Sequence, residues 1–320
     1  MNSVCIGCVK YLNARPLIRG WPDNVEFDHP STLCKRLANG ELDVALVSSF
    51  EFLRNPIYRI ADGISISSDG PVYSVVVAHR DKIFAIKEIE LDPASQTAVN
   101  LLRCLLAELS VKPRLIRNTD LQSVRATGLK PAVSKTAENI STGRTGNMPV
   151  FQPPAGSKAA VSAPVQSAES QIAENISSGH TGNNMPTFPA VRRARLLIGD
   201  QAIHFRQRHA DEFQFWDLGE QWKKLTGLPF VYALWLIRPE VVDPKEIADR
   251  LRVLRNENLG DLDELIAAEK QFDPQFCSHY YRNNLRFGLG EKEKESLRTF
   301  AQLCTKNGLL PKRDIPFDLV

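Results

Sequence analysis

The residues of this 320-residue chain that could hold a small anion are short polar groups placed at the ends of apolar runs. Tyr11-Leu12-Asn13 comes after the β-branched run Val4–Val9, and Ser48-Ser49 comes after Asp43–Val47. Ser95-Gln96-Thr97 opens a helical pattern, and Gly199-Asp200 ends the run that starts at Arg195. In an open α/β sheet, ligands bind beyond the carboxyl ends of the strands. Helix N-termini at that edge present free N–H groups and the positive end of a dipole, which suits a carboxylate. A Ser or Thr at a helix start is also an ordinary N-cap, so any one of these positions has a purely structural reading. Four of them on one sheet edge describe an anion cleft.

Other patterns carry less chemistry. Cys5-Ile-Gly-Cys8 matches a CxxC string, but both thiols fall in or beside a predicted strand, where positions i and i+3 face opposite sides. No second pair supplies the remaining ligands of a zinc site, so no metal site is expected. His204 and His209 lie five apart on a predicted helix, a wider spacing than the i, i+4 pair of a helical zinc site, and they read as exposed helix residues. No Gly-x-Ser-x-Gly elbow is present.

The elements that must position the polar groups alternate. Asp43–Val47 suits a buried parallel strand, and Val72–Ala78 reads as another. Ser31 or Thr32 can cap a helix ended by Gly40. Over residues 96–109, Val99, Leu102, Leu105, Leu106 and Leu109 share one helical face. Phe230–Ile237 is a long apolar strand, Asp243-Pro244 starts a helix, and residues 291–307 form the last one. This rhythm predicts an α/β fold with mostly parallel strands. From about 118 to 190 the pattern stops. The stretch is rich in small and polar residues and repeats AENISTGRTGNMPVF (Ala137–Phe151) as AENISSGHTGNNMPTF (Ala173–Phe188). With so little apolar surface to offset backbone ordering, it reads as a disordered insertion.

Composition narrows the function classes. Forty basic and 37 acidic residues give a net charge of +3, and no block of like charges suggests a nucleic-acid partner. No apolar stretch approaches the roughly 20 residues of a membrane span. The N-terminus lacks the pattern of a secretory signal, and the six scattered cysteines read as reduced core thiols of a cytoplasmic protein.

Several strings together resemble the chorismate dehydratases of the futalosine route to menaquinone. They are YLNARPL, the run ending LDVALVSSFEF, SISSDGPVYSVVV, RLLIGD and DLGEQWKKLTGLPFVYALW, in that order over residues 1–117 and 195–320. The resemblance implies a two-lobed type 2 periplasmic-binding-protein-like fold with a cleft between the lobes. Lobe one would be 1–79 plus 231–320 and lobe two 80–230, with the strands VYSVVVA and FVYALWLI as crossings. It also implies a carbon–oxygen lyase reaction. Chorismate loses water across C3 and C4 to give 3-[(1-carboxyvinyl)oxy]benzoate, an aromatization that calls for no cofactor. By the same resemblance Asn13 and Ser74 are the catalytic positions. Arg15, Ser48, Ser49, Ser95, Gln96, Thr97, Gly199 and Asp200 would bind the dicarboxylate. An unionised Ser is a poor base without a partner, so the enolpyruvyl carboxylate of the substrate is the candidate acceptor of the C3 proton. Where the family reads Ser-Arg-Thr-Ser, this chain has Ser95-Gln96-Thr97-Ala98. Gln96 cannot supply a charge, and Arg15 is a possible substitute. Asp92 competes with Ser95 as cap of the same helix. Two other readings share the fold: an enzyme like 1,4-dihydroxy-6-naphthoate synthase, and a carboxylate-binding protein without chemistry.

Overall fold

The computed structural model describes residues 4–92, 95–117 and 192–320. The repeat-bearing stretch, expected to be disordered, lies outside the described residues. Two five-stranded sheets share one compact unit. The first has the order β2-β1-β3-β10-β4, from β1 (Ile6–Cys8), β2 (Val25–Phe27), β3 (Val44–Ser48), β4 (Arg59–Ser68) and β10 (Phe230–Ile237). The second repeats that pattern as β7-β6-β8-β5-β9, from β5 (Val75–His79), β6 (Glu88–Leu91), β7 (Arg114–Arg117), β8 (Arg193–Ile198) and β9 (Gln214–Asp217). In each sheet two junctions are parallel and two antiparallel, so four strands share one direction and the fifth runs against them. The expectation of mostly parallel strands holds for strand direction, four of five in each sheet, while half of the junctions are antiparallel. β10 and β5 each enter their sheet from the other one, and both run against the parallel set. The strand expected over Val72–Ala78 begins only at Val75 and pairs with β8 and β9. Residues 75–79, grouped by sequence with lobe one, therefore hydrogen-bond in the second sheet.

The helices that matter for the site start at strand ends. They are α2 (Ser49–Arg54) after β3, α3 (Gln96–Glu108) after β6, α4 (Gly199–Arg208) after β8 and α5 (Leu218–Thr226) after β9. Helix α1 (Pro30–Asn39) is entered from His29 with Pro30 in its first turn, not from Ser31 or Thr32, because proline's fixed φ suits the first helical position. Gly40 ends it in the left-handed region, as expected. Helix α3 buries Leu101, Leu102, Leu105 and Leu106, and α9 (Glu291–Lys306) buries Leu297, Phe300 and Cys304. Between them lie α6 (Pro244–Gly260), α7 (Leu262–Ala267) and α8 (Pro274–His279), and α8 runs directly into a π turn at Tyr280–Asn284. Trp222, Phe230 and Phe300 pack edge to face at centroid distances of 5.1 to 5.9 Å and join the second sheet's α5 to the first sheet and α9.

Candidate active site

The segment after β1 turns at once into a short 3-10 helix, Leu12–Leu17, which puts Asn13 at the end of the first sheet. From the second sheet, Ser74 stands just before β5 and is fully buried. Between them is Tyr280, a residue the sequence reading did not single out. Its hydroxyl donates to Ser74 Oγ at 2.7 Å, and the Asn13 side chain acts to lower its pKa slightly. Among the described residues Asn13 Oδ1, shielded from solvent, has no hydrogen-bond partner. A buried acceptor without a donor costs about 1–3 kcal/mol, and such an atom is a place where a ligand can repay that cost. Burial holds the Tyr280 phenol well above its ordinary pKa, so it stays protonated.

Gly199-Asp200 joins the same group. The Gly199 N–H donates to the Ser74 carbonyl at 2.8 Å. The strand-to-helix corner needs φ +56 at this position, and a Cβ there would sit 3.0 Å from the Tyr11 ring, so glycine is required on both counts. Asp200 Oδ1 accepts from the Leu12 N–H at 2.8 Å, and the Tyr281 hydroxyl donates to the Leu12 carbonyl at 2.8 Å. Burial raises the Asp200 pKa, opposed by the Leu12 N–H and the charges of Arg15 and His204. Tyr11, between Asp92 and Asp200, is pushed up to about 12, first by burial and then by those two carboxylates.

Ser48, Ser49 and Thr97 form a second group that bridges the sheets. Thr97 Oγ1 accepts from the Phe50 N–H at 3.1 Å, in the first turn of α2. Ser48 Oγ accepts from the Thr97 N–H at 3.2 Å, in the first turn of α3. Each helix is capped by a hydroxyl of the other, and the Ser48 and Thr97 hydroxyls also bond to one another. Ser49 Oγ donates to the Val231 carbonyl at 2.7 Å. Ser95, not Asp92, caps α3 through its own side chain, which accepts from the Ala98 N–H at 3.1 Å. Gln96 is the first residue of that helix and half-buried.

Arg15 lies near Asp200 but is committed elsewhere. Its guanidinium pairs with Glu269, whose side chain is 1% exposed. The charge proposed as a substitute for the family's arginine is therefore already matched within the protein. Arg15, Tyr11 and Asp200 share the wall of a cavity of about 820 Å³ that runs along the first sheet toward Trp21 and Phe27.

The crossing itself is clamped by Asp217, which the sequence reading also passed over. Its Oδ1 accepts from the N–H groups of Val72, Gly219 and Glu220 at 3.0, 3.0 and 3.2 Å, and its Oδ2 accepts from Tyr73 at 2.8 Å. Tyr73 has φ +69, a left-handed conformation costly for a side chain this large. Its ring lies between the Arg206 guanidinium at 4.1 Å and Phe276 at 5.1 Å. These contacts hold the residue next to Ser74. The other sequence candidates are structural. Cys8 is buried while the Cys5 thiol turns to Glu26, and His204, expected to be exposed, stacks on Phe272 at 4.5 Å.

The comparisons with known proteins agree with this architecture. A crystallised protein of Archaeoglobus fulgidus superimposes with a TM-score of 0.56 at 14% identity, covering 96% of this chain and 98% of its own. The periplasmic aliphatic sulphonate binding protein of Escherichia coli gives a TM-score of 0.51 at 10% identity, over 98% of this chain and 89% of its own. The fold is the two-lobed periplasmic-binding-protein fold. A chorismate dehydratase from Thermus thermophilus is 26% identical over 309 residues, 94% of this chain and 95% of that protein. A family model described as menaquinone biosynthesis matches residues 4–132 and 179–306. Well over half of the chain lies under that model, and the chain belongs to the menaquinone biosynthesis family.

Proposed function

We propose that this protein is a chorismate dehydratase, a hydro-lyase that removes water across C3 and C4 of chorismate to give 3-[(1-carboxyvinyl)oxy]benzoate. The observation that carries the reading is the buried Oδ1 of Asn13, without a hydrogen-bond partner among the described residues, beside Tyr280 and Ser74, where the two sheets meet. The dehydratase from Thermus thermophilus, similar along nearly its whole length, supports it. With a rigid substrate held between Asn13 and Ser74, the enolpyruvyl carboxylate takes the C3 proton. The electron pair becomes the last π bond of the ring as the C4 hydroxyl departs. The protein supplies orientation, and orientation is worth a great deal when base and proton belong to one molecule. It also keeps the arm from the competing rearrangement. The substrate is a dianion, which does not cross a bilayer unaided, and we assign the reaction to the cytoplasm. Among the described residues no helix is long and apolar enough to span a membrane.

Asn13→Ala and Ser74→Ala test the reading. Contacts made chiefly in the transition state lower kcat while leaving KM nearly unchanged. Losing one such contact costs about 2.7–4 kcal/mol of barrier, a rate loss on the order of a hundred- to a thousandfold. Full activity in either variant would remove that residue from the site.

A further inference from the structure

The π turn at Tyr280–Asn284 extends α8 and directs two successive tyrosine hydroxyls inward, one to Ser74 and one to the Leu12 carbonyl. Turns of this kind recur at functional sites. Tyr280 is fully buried, and its ring is fixed by stacking on Phe276 at 5.6 Å. Among the described residues its hydroxyl is the hydrogen-bond partner of Ser74 Oγ. A serine oxygen that accepts from a phenol must point its own proton elsewhere.

We infer that Tyr280 is a positioning residue of the reaction, whose hydroxyl, by donating to Ser74 Oγ, aims the serine proton at the departing C4 hydroxyl of the substrate. The inference rests on the proposed dehydration and adds the fate of the leaving group. The C3–H bond breaks, its proton passes to the enolpyruvyl carboxylate, and its electron pair forms the new C3–C4 π bond. The C4–O bond breaks and the oxygen leaves as water with the Ser74 proton. The carboxylic acid formed on the enolpyruvyl arm then returns a proton to Ser74, so no proton is gained or lost by the protein. The Tyr280 hydroxyl, more acidic than a serine hydroxyl, shares its proton with Ser74 Oγ while the serine oxygen is charged and recovers it when the carboxylic acid reprotonates Ser74. Its hydrogen bond strengthens as charge develops on the serine oxygen, so the contact counts in the transition state and not in binding.

The test uses the full chain with chorismate, following kcat, KM and melting temperature for the parent, Y280F, S74A and the double variant. Y280F keeps the ring and its stacking on Phe276 and removes only the hydroxyl. It is expected to lower kcat about ten- to a hundredfold, the scale of a misaligned reacting group, with KM within about twofold, as expected for an interaction made only in the transition state. Adding Y280F to S74A should slow the reaction no further, because the tyrosine acts through the serine. Parental kcat in Y280F, losses that multiply in the double variant, or a raised KM with kcat intact would each overturn the role of Tyr280 alone. So would a melting temperature that falls in step with activity, since the hydroxyl would then be a fold contact. A parent chain that leaves chorismate unchanged would overturn the dehydration reading and this inference with it.

Discussion

Asp217→Asn is the perturbation that best separates the hinge clamp from the chemistry it serves. Asparagine preserves Oδ1 and its three N–H donors, but it places an NH₂ group where Oδ2 now accepts from Tyr73 at 2.8 Å and faces Arg206 at 3.7 Å. A buried N–H then meets another donor. An orphaned donor of this kind costs about 1–3 kcal/mol. The left-handed backbone of Tyr73, which this bond helps to hold, stores about 1–3 kcal/mol of its own, so the segment has a reason to relax once released. Burial raises the Asp217 pKa against the pull of the Val72, Tyr73 and Glu220 N–H groups and of Arg206, and removing the charge recovers part of that penalty. The net loss should therefore stay near 1–3 kcal/mol. At about 2–4 °C per kcal/mol for a protein of this size, the melting temperature should fall by about 2–12 °C. The effect on kcat should be larger than the stability loss alone implies, because Ser74 follows Tyr73 directly. Thermal unfolding by circular dichroism and steady-state kinetics on the same preparation decide it. A D217N chain that melts with the parent and turns over normally would refute the view that this carboxylate holds the crossing.

Two further outcomes follow from burial. Asp200 has a raised folded-state pKa, so its contribution to stability is fully present below the unfolded value near 3.8 and is lost as pH rises through the higher folded value. Asp200→Asn keeps an acceptor for the Leu12 N–H and should compare better with the parent at pH 7 than at pH 3. A melting-temperature difference that does not change with pH would contradict this. Of the six thiols, only Cys5 is partly exposed. Burial pushes Cys34 up to about 12 and raises Cys8 further. Titration with a disulfide reagent should therefore find one fast thiol in the native chain and six after denaturation, and rapid reaction of Cys104 or Cys304 would show that the contact between α3 and α9 opens readily.

What the sequence made legible was local. Leu102, Leu105 and Leu106 recur at helical spacing, and the Gly199-Asp200 corner follows an apolar run, so α3 and β8 stand close to where pattern placed them. The polar residues at strand ends were legible too, because the carboxyl edge of an α/β sheet is where small ligands bind. Contacts between distant segments were not. Val72 and Tyr73 read as strand by composition, but Asp217, 144 residues away from Tyr73, pulls them into a turn. Ser48 and Thr97 each sat at the start of a helix with an ordinary structural reading, and each hydroxyl accepts from the first turn of the other's helix. Tyr280 lies 206 residues from Ser74. Its one sequence signal was a pair of adjacent tyrosines within the polar run Ser278–Asn284, too weak to mark a site. Arg15 had the right charge and a suitable location, and only the fold reveals Glu269 beside it.

The central claim is tested most directly by incubating the purified full chain with chorismate alone and following the mixture by proton NMR. Dehydration predicts that the ring signals of chorismate give way to aromatic signals of 3-[(1-carboxyvinyl)oxy]benzoate, with the two vinyl protons of the enolpyruvyl arm retained and no added cofactor. Chorismate that persists, or that disappears only by the slow uncatalysed rearrangement at the rate seen without protein, would contradict the account.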